Sequence, residues 1–130
     1  MCRVLELKAA MGNRIRTAYH AKDTAALQEI VAQIPELVER LEQFQQAYHA
    51  QWLAENKAFG LENFDIRTGA LHQRILTAKE RLEQYVAGNI DKIEELEAEI
   101  LPFRPRNCPP EPLSSVHWDR IVAPGAMVWV

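Results

Sequence analysis

The fold is decided by the stretch LQEIVAQIPELVERLEQFQQAYHAQW, residues 27–52. Its apolar residues return every three or four positions, which places them on one face of a helix. This stripe consists of Leu27, Ile30 or Val31, Ile34, Val38, Leu41, Phe44, Tyr48 and Trp52. Asp23 or Thr24 can cap the start, and the pattern predicts a helix that ends near Phe59. Pro35 interrupts the stripe and leaves two interpretations, two collinear helices or one bent helix.

Two further amphipathic stretches flank the first. Residues 3–20 predict a helix whose buried face consists of Val4, Leu7, Met11, Ile15 and Ala18 or Tyr19. A third stripe begins at Leu71 and includes Ile75, Ala78, Leu82 and Tyr85 or Val86. The same phase resumes at Ile93 and reaches Leu101. Because one glycine costs a helix only about 1 kcal/mol, we expect Gly88 to lie within a single long third helix.

The stretch from Gly60 to Gly69 breaks the helical period and predicts a structured connection before the third helix. In one interpretation it is only a turn: Gly60 ends the second helix, Asp65 caps the third, and Phe59 and Phe64 plug the end of the bundle. The stretch also carries more charged and aromatic side chains than a turn requires. The second interpretation is therefore a docking surface.

Proline usage changes abruptly at Pro102: one proline precedes this position, and six lie between 102 and 130. Since proline interrupts helices, residues 1–101 are predicted to form a helical bundle and residues 102–130 an irregular, proline-rich tail. Two helices of about 35 residues, each about 50 Å long, joined by a short connection must run antiparallel. The predicted class is all-α: an elongated antiparallel three-helix bundle, with the tail packed on the bundle or on a missing parent domain.

Composition excludes several classes of function. The 130 residues suit one domain, and a net charge of −3 without a basic stripe disfavours nucleic acid. No apolar run approaches the roughly 20 residues of a membrane span, and no signal peptide is visible, so we expect a cytoplasmic protein without a membrane partner. No histidine follows a glutamate at the di-iron spacing, and no glycine-rich phosphate loop occurs. The sequence therefore predicts no metal, no cofactor and no catalytic residue.

Several short motifs are distinctive: Leu5-Glu6-Leu7-Lys8 with Gly12-Asn13-Arg14, Trp52-x-x-Glu55-Asn56-Lys57-x-Phe59-Gly60, Asp65-Ile66-Arg67-x-Gly69-x-Leu71, Lys79-Glu80-Arg81-Leu82 and Trp118-x-x-Ile121-Val122. In this order they resemble the C-terminal helical domain of bacterial family 20 glycoside hydrolases, the β-N-acetylhexosaminidases. The resemblance covers roughly residues 4–101, with a further similarity in the tail.

The resemblance implies that catalysis belongs to a separate (β/α)8 barrel, which removes terminal N-acetylhexosamine with an Asp-Glu pair in an H-x-G-x-D-E motif. That motif is absent from these residues, so the implied role is a non-catalytic accessory domain that supports the barrel or an oligomer contact. The alternative is a free-standing helical interaction protein that forms a homodimer. The residues expected to dock are Trp52, Glu55, Asn56, Lys57, Phe59, Asp65, Arg67 and Trp118. Asp65 and Arg67 are the expected ion-pairing residues, and Trp52 or Phe59 is the expected anchor.

Overall fold

The computed structural model describes residues 1–98, which contain four helices and no strand. The helices are α1 (Cys2–His20), α2 (Thr24–Glu55), α3 (Leu61–Val86) and α4 (Glu94–Glu97). Both α1 and α3 pack against α2, and each runs antiparallel to it. The all-α prediction is confirmed. The chain divides into the units Met1–Glu97 and Ala98–Val130, and the predictions for the proline-rich tail, Trp118 included, lie outside the described residues.

The core is centred on the part of α2 between Leu27 and Leu41, where the apolar side chains are most deeply buried. Leu27, Ile30, Ile34, Leu37 and Leu41 are the buried residues of this helix. They pack with Val4, Met11, Ala18 and Tyr19 of α1, Ile75 and Leu82 of α3, and Ile93. The predicted stripe contained four of the five buried α2 residues but named the half-buried Val38 in place of Leu37. Pro35 lies inside a single helix. Proline removes only one backbone hydrogen bond, and the apolar packing of α2 on either side compensates for that loss.

The predicted start of α2 is confirmed, whereas its predicted end is wrong. The Asp23 carboxylate accepts a hydrogen bond from the Ala26 N–H at 2.9 Å. At the other end α2 stops at Glu55, four residues before Phe59, because Asn56 adopts an extended conformation. The connection to α3 is therefore only residues 56–60.

The predicted connection from Gly60 to Gly69 is also wrong, since most of it is the start of α3. Gly60 is the N-cap residue with a φ of 95°, and the Glu62 carboxylate accepts a hydrogen bond from the Gly60 N–H at 2.8 Å. Asp65 therefore does not cap the helix. Gly69 is tolerated in the helix because Thr68 and Ile75 continue the face that packs on α2.

The third helix ends at Val86 instead of continuing to residue 101. Gly88 has a φ of 73°, which ends the α-helical path. Its N–H donates to the Tyr85 carbonyl at 3.0 Å, and the Asn89 N–H donates to the Gln84 carbonyl at 2.9 Å. This pair of bonds is a Schellman motif. The prediction was wrong because a glycine in the left-handed region stops a helix, whereas a glycine in the right-handed region only weakens it.

The helix α1 ends with the same motif but without a glycine. Lys22 has a φ of 54°, and its N–H donates to the Tyr19 carbonyl at 2.9 Å. The Asp23 N–H donates to the Ala18 carbonyl, also at 2.9 Å. Lys22 therefore pays the steric penalty of a left-handed L-residue, about 1–2 kcal/mol.

We expect Lys22→Gly to raise the free energy of unfolding by roughly 0.5–1 kcal/mol, because the steric gain exceeds the added entropy of glycine in the unfolded chain. The melting temperature, measured by circular dichroism, should rise by about 4 °C. Gly88→Ala is the matched control, since it places a side chain at a φ of 73° and should lower the melting temperature. A lower melting temperature for Lys22→Gly would contradict the conclusion that Lys22 is strained by its left-handed conformation.

Arg40 fixes where α1 begins along α2. Its guanidinium donates to the Glu6 carboxylate and the Arg3 carbonyl, both at 2.7 Å, and to the Glu36 carboxylate at 2.6 Å. The hydrogen bonds to Glu6 and Glu36 raise the pKa of Arg40. Because the N-terminus of α1 lies beside Arg40, the last turns of α2 extend roughly 20 Å past it.

Candidate docking surface at the hairpin end

The α2–α3 hairpin extends past α1, and residues 48–67 form what we call the hairpin end. Three aromatic rings hold its two helices together. The Phe64 ring stacks on Tyr48 with centroids 3.8 Å apart and planes at 13°, and it meets Phe44 edge-on at 5.7 Å. These rings are only half-buried. The prediction that Phe64 closes this end of the bundle therefore agrees with the contacts.

Trp52 organises the connection between the helices. Its ring lies 5.9 Å from that of Tyr48, and its indole N–H donates to the Lys57 carbonyl at 2.9 Å. A Cβ added at Gly60 would lie 3.4 Å from the Trp52 ring, so the turn passes close over the indole. Trp52 is half-buried by these contacts. It serves the turn itself, which leaves the role of exposed anchor to another residue.

Phe59, the other expected anchor, does not plug the end of the bundle. Its side chain is 88% exposed, although the sequence suggested that it would fill the end of the bundle. Leu53 and Ile66, at 56% and 62%, are exposed on the same hairpin end. Residues 48–67 therefore leave three large apolar side chains exposed to water.

The polar candidates divide into two groups. Asp65 is used within the hairpin, where its carboxylate lies 2.5 Å from His49 Nε2. Arg67 is exposed and makes no hydrogen bond or ion pair within residues 1–98. Asp65 and Arg67 therefore do not pair with each other, and Arg67 is the one available for a bidentate contact with a partner.

The remaining polar candidates lie around the turn. Glu55, Asn56 and Lys57 are all exposed. The Asn56 N–H donates to the Trp52 carbonyl at 2.7 Å, so the backbone of this segment is engaged. The Asn56 and Lys57 side chains form no hydrogen bond within residues 1–98. They are placed as a polar rim beside Phe59, which is the arrangement that interfaces favour.

Sequence reasoning missed Leu53 and Ile66 as members of this surface. Ile66 lies two residues from Phe64, and a two-residue step points to the opposite side of a helix. Ile66 does not fit the helical spacing of Phe64, Thr68 and Ile75. This mismatch indicates an exposed side chain once α3 is known to begin at Leu61. Leu53 likewise lies outside the apolar stripe of α2, because it directly follows Trp52, the last residue of that stripe.

Residues 1–98 contain neither a cluster of metal-ligand side chains nor a membrane-spanning helix. No group of three or more His, Cys, Asp or Glu side chains there is arranged to hold a metal ion. None of the helices in this range combines the length and the apolar composition that a bilayer crossing requires.

Residues 1–98 thus form an all-α domain whose α2–α3 hairpin end exposes both apolar and charged side chains. Comparison with protein families matches residues 1–114 to the Glycoside Hydrolase 20C C-terminal domain, and the chain belongs to this family. The predicted resemblance is thereby confirmed. Comparison with the curated proteins gave no match.

Proposed function

We propose that this chain is a non-catalytic accessory domain of a family 20 β-N-acetylhexosaminidase, and that its hairpin end docks on the catalytic barrel. Family membership supports the first half of the proposal, because the family consists of C-terminal domains of glycoside hydrolases. The absence of an H-x-G-x-D-E motif from the 130 residues agrees with a non-catalytic role.

The observation that carries the docking half is the exposure of Phe59. An aromatic side chain that is 88% exposed contributes little to the stability of the isolated domain, whereas aromatic residues are frequent interface anchors. Leu53 and Ile66 are further exposed apolar side chains of the hairpin end, and the Arg67 guanidinium of the same segment forms no ion pair within residues 1–98. This combination of an apolar centre and hydrogen-bonding neighbours fits a protein surface better than a small ligand.

The test is association with the catalytic barrel of a family 20C glycoside hydrolase produced without its own C-terminal domain. We expect the full chain to bind, as measured by isothermal titration calorimetry. Phe59→Ala should weaken binding by about tenfold, or about 1.4 kcal/mol, and Arg67→Ala should weaken it as well. Both variants should keep the melting temperature of the wild type, because both side chains are exposed.

Leu76→Ala is the matched control, since Leu76 is an exposed apolar residue of α3 outside the hairpin end. Unchanged binding for Phe59→Ala, or equal losses for Phe59→Ala and Leu76→Ala, would remove the support for docking through this surface. A chain that ignores the barrel and sediments as a dimer dissociated by Phe59→Ala would favour the alternative of a free-standing dimerising protein.

A further inference from the structure

A groove separates α1 from α3, which pack on different sides of α2. At one end the two helices meet, where the rings of Tyr19 and Tyr85 lie 4.9 Å apart. Below this contact the groove is lined by Gly12 and Ile15 of α1 and by Arg74 and Ala78 of α3, together with residues 93–96. It encloses a cavity of about 170 Å³.

The segment 93–97 already occupies the upper part of this groove and shows what the groove accepts. Ile93 is buried and Leu96 packs on the core, so the apolar side chains face inward. The Glu94 carboxylate pairs with Arg81, and the Glu97 carboxylate accepts from the Tyr19 hydroxyl at 2.6 Å. The pKa of Glu94 is lowered, first by a hydrogen bond from its own backbone N–H and then by Arg81. The bound segment is therefore apolar on one side and acidic on its flanks.

The lower part of the groove carries two cationic side chains that form no ion pair with Glu95, whose side chain lines the same cavity. Arg74 lines the cavity, and Lys8 precedes Gly12 by four residues on the same side of α1. Both side chains are exposed, and neither forms an ion pair within residues 1–98. Two uncompensated cations on one groove contrast with the net charge of −3 of the whole chain.

Contacts with α2 relate the positions of Lys8 and Arg74 along the bundle. Arg40 of α2 contacts Glu6 of α1, and Glu42, half a turn further along α2, lies 3.3 Å from His72 of α3. Residues 6–8 of α1 and 72–74 of α3 therefore lie at the same level along the bundle. Lys8 and Arg74 therefore lie at similar levels on the two helices that border the groove.

Small residues leave room on this floor. A Cβ built on Gly12 would meet no atom of residues 1–98 within 4 Å, and Ala78 lines the opposite wall. As far as these residues are concerned, the lower groove is open and apolar at its base, with Lys8 and Arg74 at its edges. These are the same features that hold Ile93, Glu94 and Leu96 in its upper part.

We propose that the lower α1–α3 groove binds an amphipathic helix of the catalytic barrel, one that carries an apolar stripe flanked by carboxylates. This inference rests on the proposed function, and the outer layer of a (β/α)8 barrel consists of helices that can supply such a segment. Apolar side chains of that helix fill the space above Gly12 and Ile15. Its carboxylates pair with Lys8 and Arg74, in the way that Glu94 pairs with Arg81.

The experiment measures binding of the full chain to the same barrel and adds charge reversals in the groove. Arg74→Glu is expected to weaken binding by about tenfold, with a smaller dependence on salt between about 50 and 500 mM NaCl than the wild type shows. Lys8→Glu is the second variant and should act in the same direction. Arg3→Glu is the matched control, because Arg3 is exposed on the side of α1 that faces Arg40.

The outcomes separate this inference from the proposed function. If the wild type binds and Phe59→Ala weakens binding while Arg74→Glu and Lys8→Glu do not, the groove proposal is overturned and docking through the hairpin end stands. Equal losses for Arg74→Glu and Arg3→Glu would also overturn it, since they would reflect net charge alone. A wild-type chain that does not bind the barrel contradicts the proposed function and the groove proposal together.

Discussion

Leu37→Ala is expected to lower the free energy of unfolding of this chain by about 2–5 kcal/mol. Leu37 lies near the middle of α2 and has 0% of its surface exposed. The truncation removes apolar contact and leaves a cavity, which helices packed on both sides of α2 cannot fully collapse. At about 4–8 °C per kcal/mol for a domain of this size, thermal unfolding followed by circular dichroism should begin at least 8 °C earlier.

Leu53→Ala makes the same chemical change in the same helix and serves as the control. Leu53 is 56% exposed, so its truncation should change the free energy of unfolding by no more than about 0.5–1 kcal/mol. A small effect of Leu37→Ala would mean that α2 is not the centre of the core. Equal large effects would mean that the hairpin end is buried in solution, for example between two copies of the chain.

The helical stripes could be read from the sequence because burial on α2 follows the helical period closely. Ile30, Ile34 and Leu41 were placed on one face by spacing alone, and all three are buried. The N-cap at Asp23 was equally readable, since a carboxylate before an amphipathic stretch has a specific acceptor role. Local rules and tertiary packing agree in this part of the chain.

The glycines could not be interpreted in the same way, because the sequence does not state their φ angles. Gly69 lies within α3, whereas Gly60 and Gly88 have positive φ and stand at helix ends. Assigning Gly69 as a boundary and Gly88 as a helix interior reversed their roles. The error moved Asp65 and Arg67 from a helix into a loop.

The candidate surface was located by composition but not in its details. Clustered aromatic and charged residues indicated the hairpin end, yet only the structure separates the exposed Phe59 from the half-buried Trp52. The α1–α3 groove had no sequence signal at all. Lys8 and Arg74 are 66 positions apart in the sequence, and their common level depends on how both helices register on α2.

Tyr19→Phe is the second substitution expected to have a large effect, although it removes a single oxygen atom. Tyr19 is 5% exposed, and its hydroxyl accepts from the buried Ile93 N–H at 3.1 Å while donating to Glu97. Phenylalanine leaves that N–H without a partner, which costs about 1–3 kcal/mol. The melting temperature should fall, and the Ile93 amide should exchange with solvent faster. Tyr48→Phe is the control, because the Tyr48 hydroxyl forms no hydrogen bond within residues 1–98.

The pH dependence of the difference in melting temperature between the wild type and Tyr19→Phe tests whether the Tyr19 hydroxyl is its cause. The hydrogen bond to Glu97 raises the pKa of Tyr19 above its ordinary value of 10.0. Since the folded-state pKa is the higher one, the stabilisation is complete below about pH 10 and is lost as the pH rises through the raised pKa. The gap in melting temperature between the wild type and Tyr19→Phe should therefore be constant from about pH 7 to 9 and should narrow above about pH 10. A gap that is absent at neutral pH would show that packing of Ile93 and Leu96 holds residues 93–97 in the groove without the phenol. A gap that persists unchanged in alkali would contradict the hydrogen bond to Glu97 as its cause.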